Sequence, residues 1–331
     1  SDLYEPGSVF KLITASAALD SGAVTPGSTF VCRGSINVAG TRFRCANGRV
    51  HGAQNIADAL MHSCNPSFIQ IGAALGADRF YQYFQAFGLA EATGVDLPAE
   101  PKKSEHYTAD RMGPVELASC SFGQSSKITP LQMITAVSAV VNGGKLMQPY
   151  LVSAVLDENG AISQRIEPQV KRQVISAETS ARMREMMKYT VDSGPGKNAY
   201  VAGMRVGGKS GTSQKLDSED STARIASFVG IAPADDPQIA VLVLLDEPHT
   251  FTTAGGTLAA PVVGQVLRDT LEYLEVQPVY TEAERKNIDT TVPDLVGQTN
   301  EYASARLAEA GLGSSTRGGS GTVTSQYPAA G

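Results

Sequence analysis

No tryptophan occurs in the 331 residues and only 6% are aromatic, which leaves little surface on which nucleic-acid bases would stack. Nor is positive charge in excess. The 27 basic side chains face 33 acidic ones and form no basic stripe, so nucleic acid is not an expected partner. Long apolar runs are missing too. The longest clean one, Ile239 to Leu245, has the length of a strand and cannot span a bilayer. The four histidines, His51, His62, His106 and His249, make no His-Glu-x-x-His pattern. The four cysteines match no zinc spacing, so neither a metal site nor a cofactor is expected. Cys32 and Cys45 flank a polar, glycine-containing loop. They allow a disulfide, contributing about 3 kcal/mol in the chain-entropy model, or two free thiols. Cys64 and Cys120 sit in apolar contexts and read as buried small residues.

What the chain does have is three short motifs: Ser8-Val9-Phe10-Lys11, Ser63-Cys64-Asn65 and Lys209-Ser210-Gly211-Thr212. From Val9 to Leu19 the pattern is helical and apolar around most of its circumference, which predicts a buried helix ended near Gly22. Ser8 and Lys11, three apart, share one face at its N-terminal end. A serine hydroxyl is a poor nucleophile until a neighbour removes its proton, and a lysine does so only when desolvation or nearby cations lower its pKa. Taken alone, Ser-x-x-Lys reads equally as a helix cap beside a solvated lysine.

Ile56 to His62 predicts one helix, begun near Asn55, and Pro66 opens another, so Ser63 and Asn65 fall in a tight junction and point into one cleft. There a hydroxyl can relay a proton and a carboxamide can hold a substrate amide; the competing reading is Asn65 as a helix cap. Met204 to Val206 leads into a strand whose glycines let another segment approach. Such a strand can aim a backbone N–H at an oxyanion, while Lys209, Ser210, Gly211 and Thr212 bind a carboxylate. A phosphate-binding loop fits the Gly203 to Ser210 spacing, but the polar residues from Ser213 to Ser218 are no start of a buried helix.

The combination resembles the class B penicillin-binding transpeptidases over nearly the whole chain. Glu5-Pro6-Gly7-Ser8, Ser121-Phe122-Gly123-Gln124, Thr129-Pro130-Leu131-Gln132 and Asn142-Gly143-Gly144 carry the resemblance beyond the motifs. So do Ser227-Phe228-Val229-Gly230, Gly255-Gly256 and Ala259-Ala260-Pro261. The resemblance implies a peptidoglycan D,D-transpeptidase without cofactor. Ser8 would attack the penultimate D-alanine of a stem peptide and Lys11 would take its proton. Ser63, with Lys11 and Lys209, would pass it to the leaving D-alanine, and Asn65 would hold the substrate amide. The N–H groups of Ser8 and Thr212 would form the oxyanion hole, and Ser210 and Thr212 would bind the terminal carboxylate. Implied partners are stem peptides, β-lactam antibiotics, and cell-wall synthesis or division proteins. The implied location is the extracytoplasmic face of a bacterial membrane, with the anchor outside this chain. A D,D-carboxypeptidase or a serine β-lactamase carries the same three motifs, though no glutamate suited to deacylation can be placed. A non-catalytic β-lactam sensor or cell-wall binding protein is the alternative of another class.

The expected fold class is α+β: an antiparallel sheet flanked by a mostly helical region. Residues 1–276 are assigned to the transpeptidase domain, 277–290 to a charged linker, and 291–331 to a small α+β unit that resembles a partial PASTA module. Relatives carry further strands before this point, so the chain is expected to be a fragment whose sheet has an open edge. Phe80 to Phe87 and the Met-rich stretch Ser180 to Val191 read as core helices. Between Gly22 and Gly52 a loop is expected, and Leu151–Leu156 with Ile166–Val174 reads as a hairpin-like excursion. Thr129 begins a capping box, and Asp217 to Thr222 reads as a mobile loop at the cleft mouth.

Overall fold

A computed structural model describes residues 2–101, 104–215, 218, 220, 222–285, 291–319 and 321–331. After a 3₁₀ turn at Gly7–Phe10, helix α1 spans Lys11–Asp20. Its residues from Lys11 to Ala18 are all buried, as the apolar circumference predicts. Leu12 and Ile13 alone contribute roughly 1.5–3 kcal/mol each by leaving water.

The segment expected as a loop instead forms short strands: β1 (Phe30–Cys32), β2 (Ser35–Val38), β3 (Thr41–Arg44) and β4 (Gly52–Gln54). β2 and β3 make a hairpin, and β1 pairs with β4 across it. Strands this short and polar lack the alternation that would have predicted them. Helices α2 (Ile56–Met61) and α3 (Asn65–Leu75) follow, the first capped by Asn55. Then come α4 (Ala77–Ala86), α5 (Pro114–Cys120) and α6 (Pro130–Val141). The capping box at Thr129 and Gln132 is formed in both directions. Phe80, Phe84 and Phe87 are buried in the helical core.

The excursion also differs from expectation. β5 (Lys145–Gln148) pairs with β8 (Gln169–Gln173), and β6 (Ala154–Leu156) pairs with β7 (Ile162–Arg165). The two stretches predicted to pair therefore take other partners. Helix α7 (Ala177–Ser193) buries Met183, Met186 and Met187.

The central sheet is antiparallel, in the order β11 (Ile239–Asp246), β10 (Arg224–Ala232), β9 (Gly207–Gln214). Along β10 the side chains alternate between two cores. Ile225, Val229 and Ile231 join the helical layer containing α1, α3, α4, α6 and α7. Phe228 and Ala232 face α8 (Gly255–Tyr273), which packs Ala259, Ala260, Val263, Leu267 and Leu271 on the other side. The sheet thus lies between two helical layers, and β9 is the edge strand that meets the Gly7–Phe10 turn. Of the loop expected at Asp217–Thr222, positions 217, 219 and 221 lie outside the described residues.

The stretch read as a linker is partly structured. Helix α9 (Glu282–Arg285) places Glu284 so that it accepts from Tyr200 Oη, from Gly203 N–H at 2.9 Å and from Thr281 N–H at 2.6 Å. Positions 286–290 lie outside the described residues. The final unit holds α10 (Asn300–Glu309), capped by Thr299, with Leu295 and Ala303 buried. Gln277 Oε1 accepts from Ala329 N–H at 2.8 Å, and Arg317 lies over the Tyr273 ring at 5.4 Å, so this unit touches the C-terminal end of α8.

Candidate active site

The 3₁₀ turn before α1 sets the first pair. With three residues per turn, Ser8 and Lys11 eclipse one another, and Lys11 Nζ donates to Ser8 Oγ at 2.9 Å. The same ammonium donates to Ser63 O at 2.8 Å, Ser63 Oγ at 3.2 Å and Asn65 Oδ1 at 2.7 Å. Phe68 presents its ring 5.5 Å from the nitrogen. Ser63 sits in the turn between α2 and α3 with φ +54°, a left-handed conformation unusual for serine, which turns both its carbonyl and its hydroxyl towards Lys11.

Lys209 comes from the other side. It stands opposite Val229 in the sheet, so its side chain shares the face that carries the helical core. Its Nζ donates to Ser63 Oγ at 3.0 Å and to Ser210 O at 2.8 Å. The Ser63 hydroxyl is therefore shared by two lysines, each fully buried.

Burial dominates their electrostatics. Removal from water lowers the Lys11 pKa from 10.5 to about 7. Burial also holds Lys209 well below the ordinary lysine value, and repulsion from Lys11 adds to the effect. At neutral pH a substantial fraction of Lys11 is thus unprotonated, which is what a base towards a hydroxyl requires.

Ser8, Lys11, Ser63, Asn65 and Lys209 are joined by direct hydrogen bonds. Ser210 enters through its carbonyl. Gly211 explains how the edge strand reaches the Ser8 turn: a Cβ there would lie 3.0 Å from Val9 Cγ2, 3.2 Å from Pro6 O and 2.3 Å from Ser227 Oγ. Only glycine lets β9 and the Ser8 turn touch. Thr212 is exposed at that edge, with its hydroxyl 3.3 Å from Gly255 N–H and 3.5 Å from Thr253 O. It therefore stands at the N-terminus of α8, where the helix dipole favours an anion.

Three contributions escaped the sequence reading. Thr253 and Gly255 flank Thr212 through the start of α8. Gly123 supports the Ser8 turn: its carbonyl accepts from Gly7 N–H at 2.9 Å, and a Cβ on it would lie 1.9 Å from Gly7 O. All four cysteines are free, so Cys32 and Cys45 make no disulfide. Cys32, Cys45, Cys64 and His51 instead gather in one cluster of groups able to ligate a metal, which their sequence spacings do not suggest. The fold brings together residues up to 32 positions apart.

Fold and cleft together define a serine–lysine site on an antiparallel sheet held between helical layers. The chain matches the penicillin binding protein transpeptidase domain over residues 1–268 and the PASTA domain over residues 290–331. It is 40% identical to stage V sporulation protein D of Bacillus subtilis, over 99% of this chain and 52% of that protein. It is 32% identical to a probable peptidoglycan D,D-transpeptidase FtsI of Caulobacter vibrioides, over 84% of this chain and 48% of that protein. Among solved structures, the D,D-transpeptidase domain from Eggerthella lenta aligns with TM-score 0.75 and 29% identity, covering 83% of this chain and 66% of that one. Penicillin-binding protein 3 from Mycobacterium tuberculosis, complexed with ampicillin, aligns with TM-score 0.76 and 27% identity, covering 85% and 64%. The chain belongs to the penicillin-binding protein transpeptidase family, and its relatives are class B members. It spans about half the length of the curated relatives it matches.

Proposed function

We propose that the chain carries the acyl-transfer site of a peptidoglycan D,D-transpeptidase. The observation that supports this most directly is the Ser63 hydroxyl held between Lys11 and Lys209, with Lys11 Nζ 2.9 Å from Ser8 Oγ. Lys11, once unprotonated, accepts the Ser8 proton as Ser8 Oγ bonds to the carbonyl of the penultimate D-alanine. The oxyanion takes hydrogen bonds from the backbone N–H groups of Ser8 and Thr212. As the C–N bond to the terminal D-alanine breaks, its nitrogen takes the Ser63 hydroxyl proton. Lys11, now an ammonium, returns one to Ser63 with Lys209 stabilising the transfer. Asn65 holds the substrate amide. Ser210, Thr212 and the start of α8 receive the terminal carboxylate. An amine of a second stem peptide then attacks the ester, which forms the crosslink and frees Ser8. A β-lactam follows the first half of this sequence and remains on Ser8.

On this reading residues 1–276 form the catalytic unit, 277–290 a tether and 291–331 a PASTA unit. Expected partners are stem peptides, β-lactams and proteins of cell-wall synthesis, at the outer face of the cell membrane. No helix among the described residues is long and apolar enough to cross a membrane. Incubation with a penicillin followed by peptide mass spectrometry tests the chemistry: one adduct on the peptide holding Ser8 is expected, and none in Ser8→Ala. An adduct released within seconds would replace the transpeptidase by a β-lactamase. Stable labelling without Ser8-dependent crosslinking by the full-length protein would leave a β-lactam sensor.

A further inference from the structure

Behind the second motif lies a set of side chains that the acyl-transfer chemistry does not use. The sulfurs of Cys32, Cys45 and Cys64 and a ring nitrogen of His51 all lie within 4.8 Å of one another. Cys45 Sγ is 3.9 Å from Cys64 Sγ and 3.6 Å from His51 Nδ1. A tetrahedral zinc with Zn–S of about 2.3 Å and Zn–N of about 2.0 Å has S–S and S–N edges of about 3.8 Å and about 3.5 Å. We propose that Cys32, Cys45, His51 and Cys64 bind one Zn²⁺ ion, and that this ion fixes the turn bearing Ser63 and Asn65.

The donor set selects the metal. Three thiolates and an imidazole in a closed four-donor site suit zinc and disfavour the hard cations magnesium and calcium. A disulfide accounts for less: it joins two of three adjacent sulfurs and leaves the third, with His51, unused. The three cysteines are buried and form a cluster apart from both main cores. Cys120, the fourth, lies elsewhere, against Ser126, and serves as an internal control.

Local structure delivers each ligand. β1 pairs with β4 so that Cys32 stands opposite Gly52, the residue after His51. Cys45 N–H bonds to Gly34 O and closes the β2–β3 hairpin. Cys64 caps α3. An outer shell is also in place. The Ser67 hydroxyl donates to Cys64 Sγ at 3.3 Å, and Gln54 Nε2 donates to Ser67 Oγ at 2.8 Å. Gln54 Oε1 meets His62 Nδ1 at 2.9 Å, and the His62 ring stacks on His51 with centroids 4.7 Å apart. Such shells orient ligands and strengthen metal binding.

The hairpin between Cys32 and His51 exposes most of its residues and has no core of its own. A metal clip would supply what apolar burial does not. Cys64 is flanked by Ser63, in its left-handed conformation, and by Asn65, whose Nδ2 donates to Arg44 O beside Cys45. Two ligands therefore grip the chain next to both functional side chains. On binding, each thiol gives its proton to solvent. Three thiolates, one neutral imidazole and Zn²⁺ leave the site with a net charge of −1.

Metal binding stands independently of the transpeptidase reading, whereas the effect on acylation rests on it. The full chain, purified under reducing conditions and dialysed against zinc, is expected to hold one zinc by elemental analysis. Cys120→Ser should keep it, and Cys32→Ser and His51→Ala should lose it. Reconstitution with Co²⁺ should give the visible bands of a tetrahedral thiolate site, a readout that needs no activity. Removing zinc with a chelator should slow acylation by a fluorescent penicillin about tenfold, with recovery on adding zinc back. A fully reduced, folded chain that takes up neither zinc nor cobalt overturns the site. So does a metal-free native protein in which two of these cysteines are joined as a disulfide. Zinc binding with acylation unchanged by chelation overturns the positioning role.

Discussion

Lys11 is buried to the point that its charge works against folding, and this gives the sharpest test. Its pKa is lowered from 10.5 to about 7, chiefly by loss of hydration. A base whose pKa is depressed by folding binds fewer protons in the folded state. Its contribution to stability is complete above pH 10.5, is lost as pH falls, and is fully lost below about 7. At 1.36 kcal/mol per pKa unit, the charge imposes a penalty of about 4 kcal/mol at pH 7 and about 2 kcal/mol at pH 9. Methionine in its place, of similar length and without charge, removes that penalty. Of its four hydrogen bonds, the Ser63 hydroxyl keeps Lys209 as a partner and the half-buried Ser8 hydroxyl keeps water, so the loss falls on Ser63 O and Asn65 Oδ1 and offsets about 1 kcal/mol each. Lys11→Met should therefore be about 2 kcal/mol more stable than the parent at pH 7, and about equal to it at pH 9. Lys209 adds to the gain at pH 7, because its pKa rises once the neighbouring ammonium is gone and its own burial penalty shrinks.

Urea unfolding of both proteins at the two pH values measures the difference, in which the other titrating groups largely cancel. Fluorescent penicillin labelling, measured in parallel, should be abolished. A stability difference that stays constant between the two pH values would refute the account of Lys11 as a desolvated lysine. Labelling at the parental rate would place the base elsewhere. Gain in stability with loss of labelling is the expected signature of a residue kept for chemistry against the interest of the fold.

Four further outcomes are expected. Acylation by a β-lactam should rise about tenfold from pH 6 to pH 8 with its midpoint near the Lys11 value of about 7, since the unprotonated form is the base; a flat profile in stopped-flow labelling counts against it. Ser63→Ala should slow acylation by about 10²-fold or more while changing stability little, as a proton relay between two lysines requires, and an unchanged rate would remove Ser63 from the chemistry. Gly123→Ala should drive Gly7 O away from its place, because the new Cβ would lie 1.9 Å from it; labelling should fall by about 10²-fold, and retained labelling would mean that the turn adapts freely. Glu284→Ala should leave labelling intact but speed proteolysis between 277 and 290, since Glu284 accepts from Tyr200 Oη, Gly203 N–H and Thr281 N–H; equal cleavage rates would show that these bonds do not anchor the segment.

Sequence and structure agree best where local physics decides the outcome. The apolar circumference of α1, the Thr129–Gln132 capping box and the glycines of β9 each carry their own signal, and each element stands where that signal puts it. The direct bonds among Ser8, Lys11, Ser63, Asn65 and Lys209 lie one step further. Spacing places Ser8 above Lys11, but only tertiary packing brings Ser63 from 52 residues away and Lys209 from the sheet. Where packing alone decides, single-sequence reasoning loses its hold. β1 to β4 are too short and too polar to show a period of two, and β5 and β8 pair across an intervening hairpin that adjacency in sequence does not suggest.

The cysteines show the same limit most clearly. Spacing rules recognise metal sites whose ligands come from one turn or one helix. Here the β1–β4 pairing sets Cys32 beside His51, the closure of the β2–β3 hairpin sets Cys45, and the cap of α3 sets Cys64. None of these three facts is visible before the fold is known. The residue between Ser63 and Asn65 passes in sequence for a buried small residue, yet its sulfur lies in a cluster of ligating groups. A cleft whose serine turn holds φ +54° needs support from behind, because a left-handed serine costs about 1–3 kcal/mol and persists only where its surroundings over-determine it. In this chain the hydrogen bonds of Lys11 and Lys209 hold that turn from one side, and the sulfur of Cys64, set among ligating groups, is placed to hold it from the other.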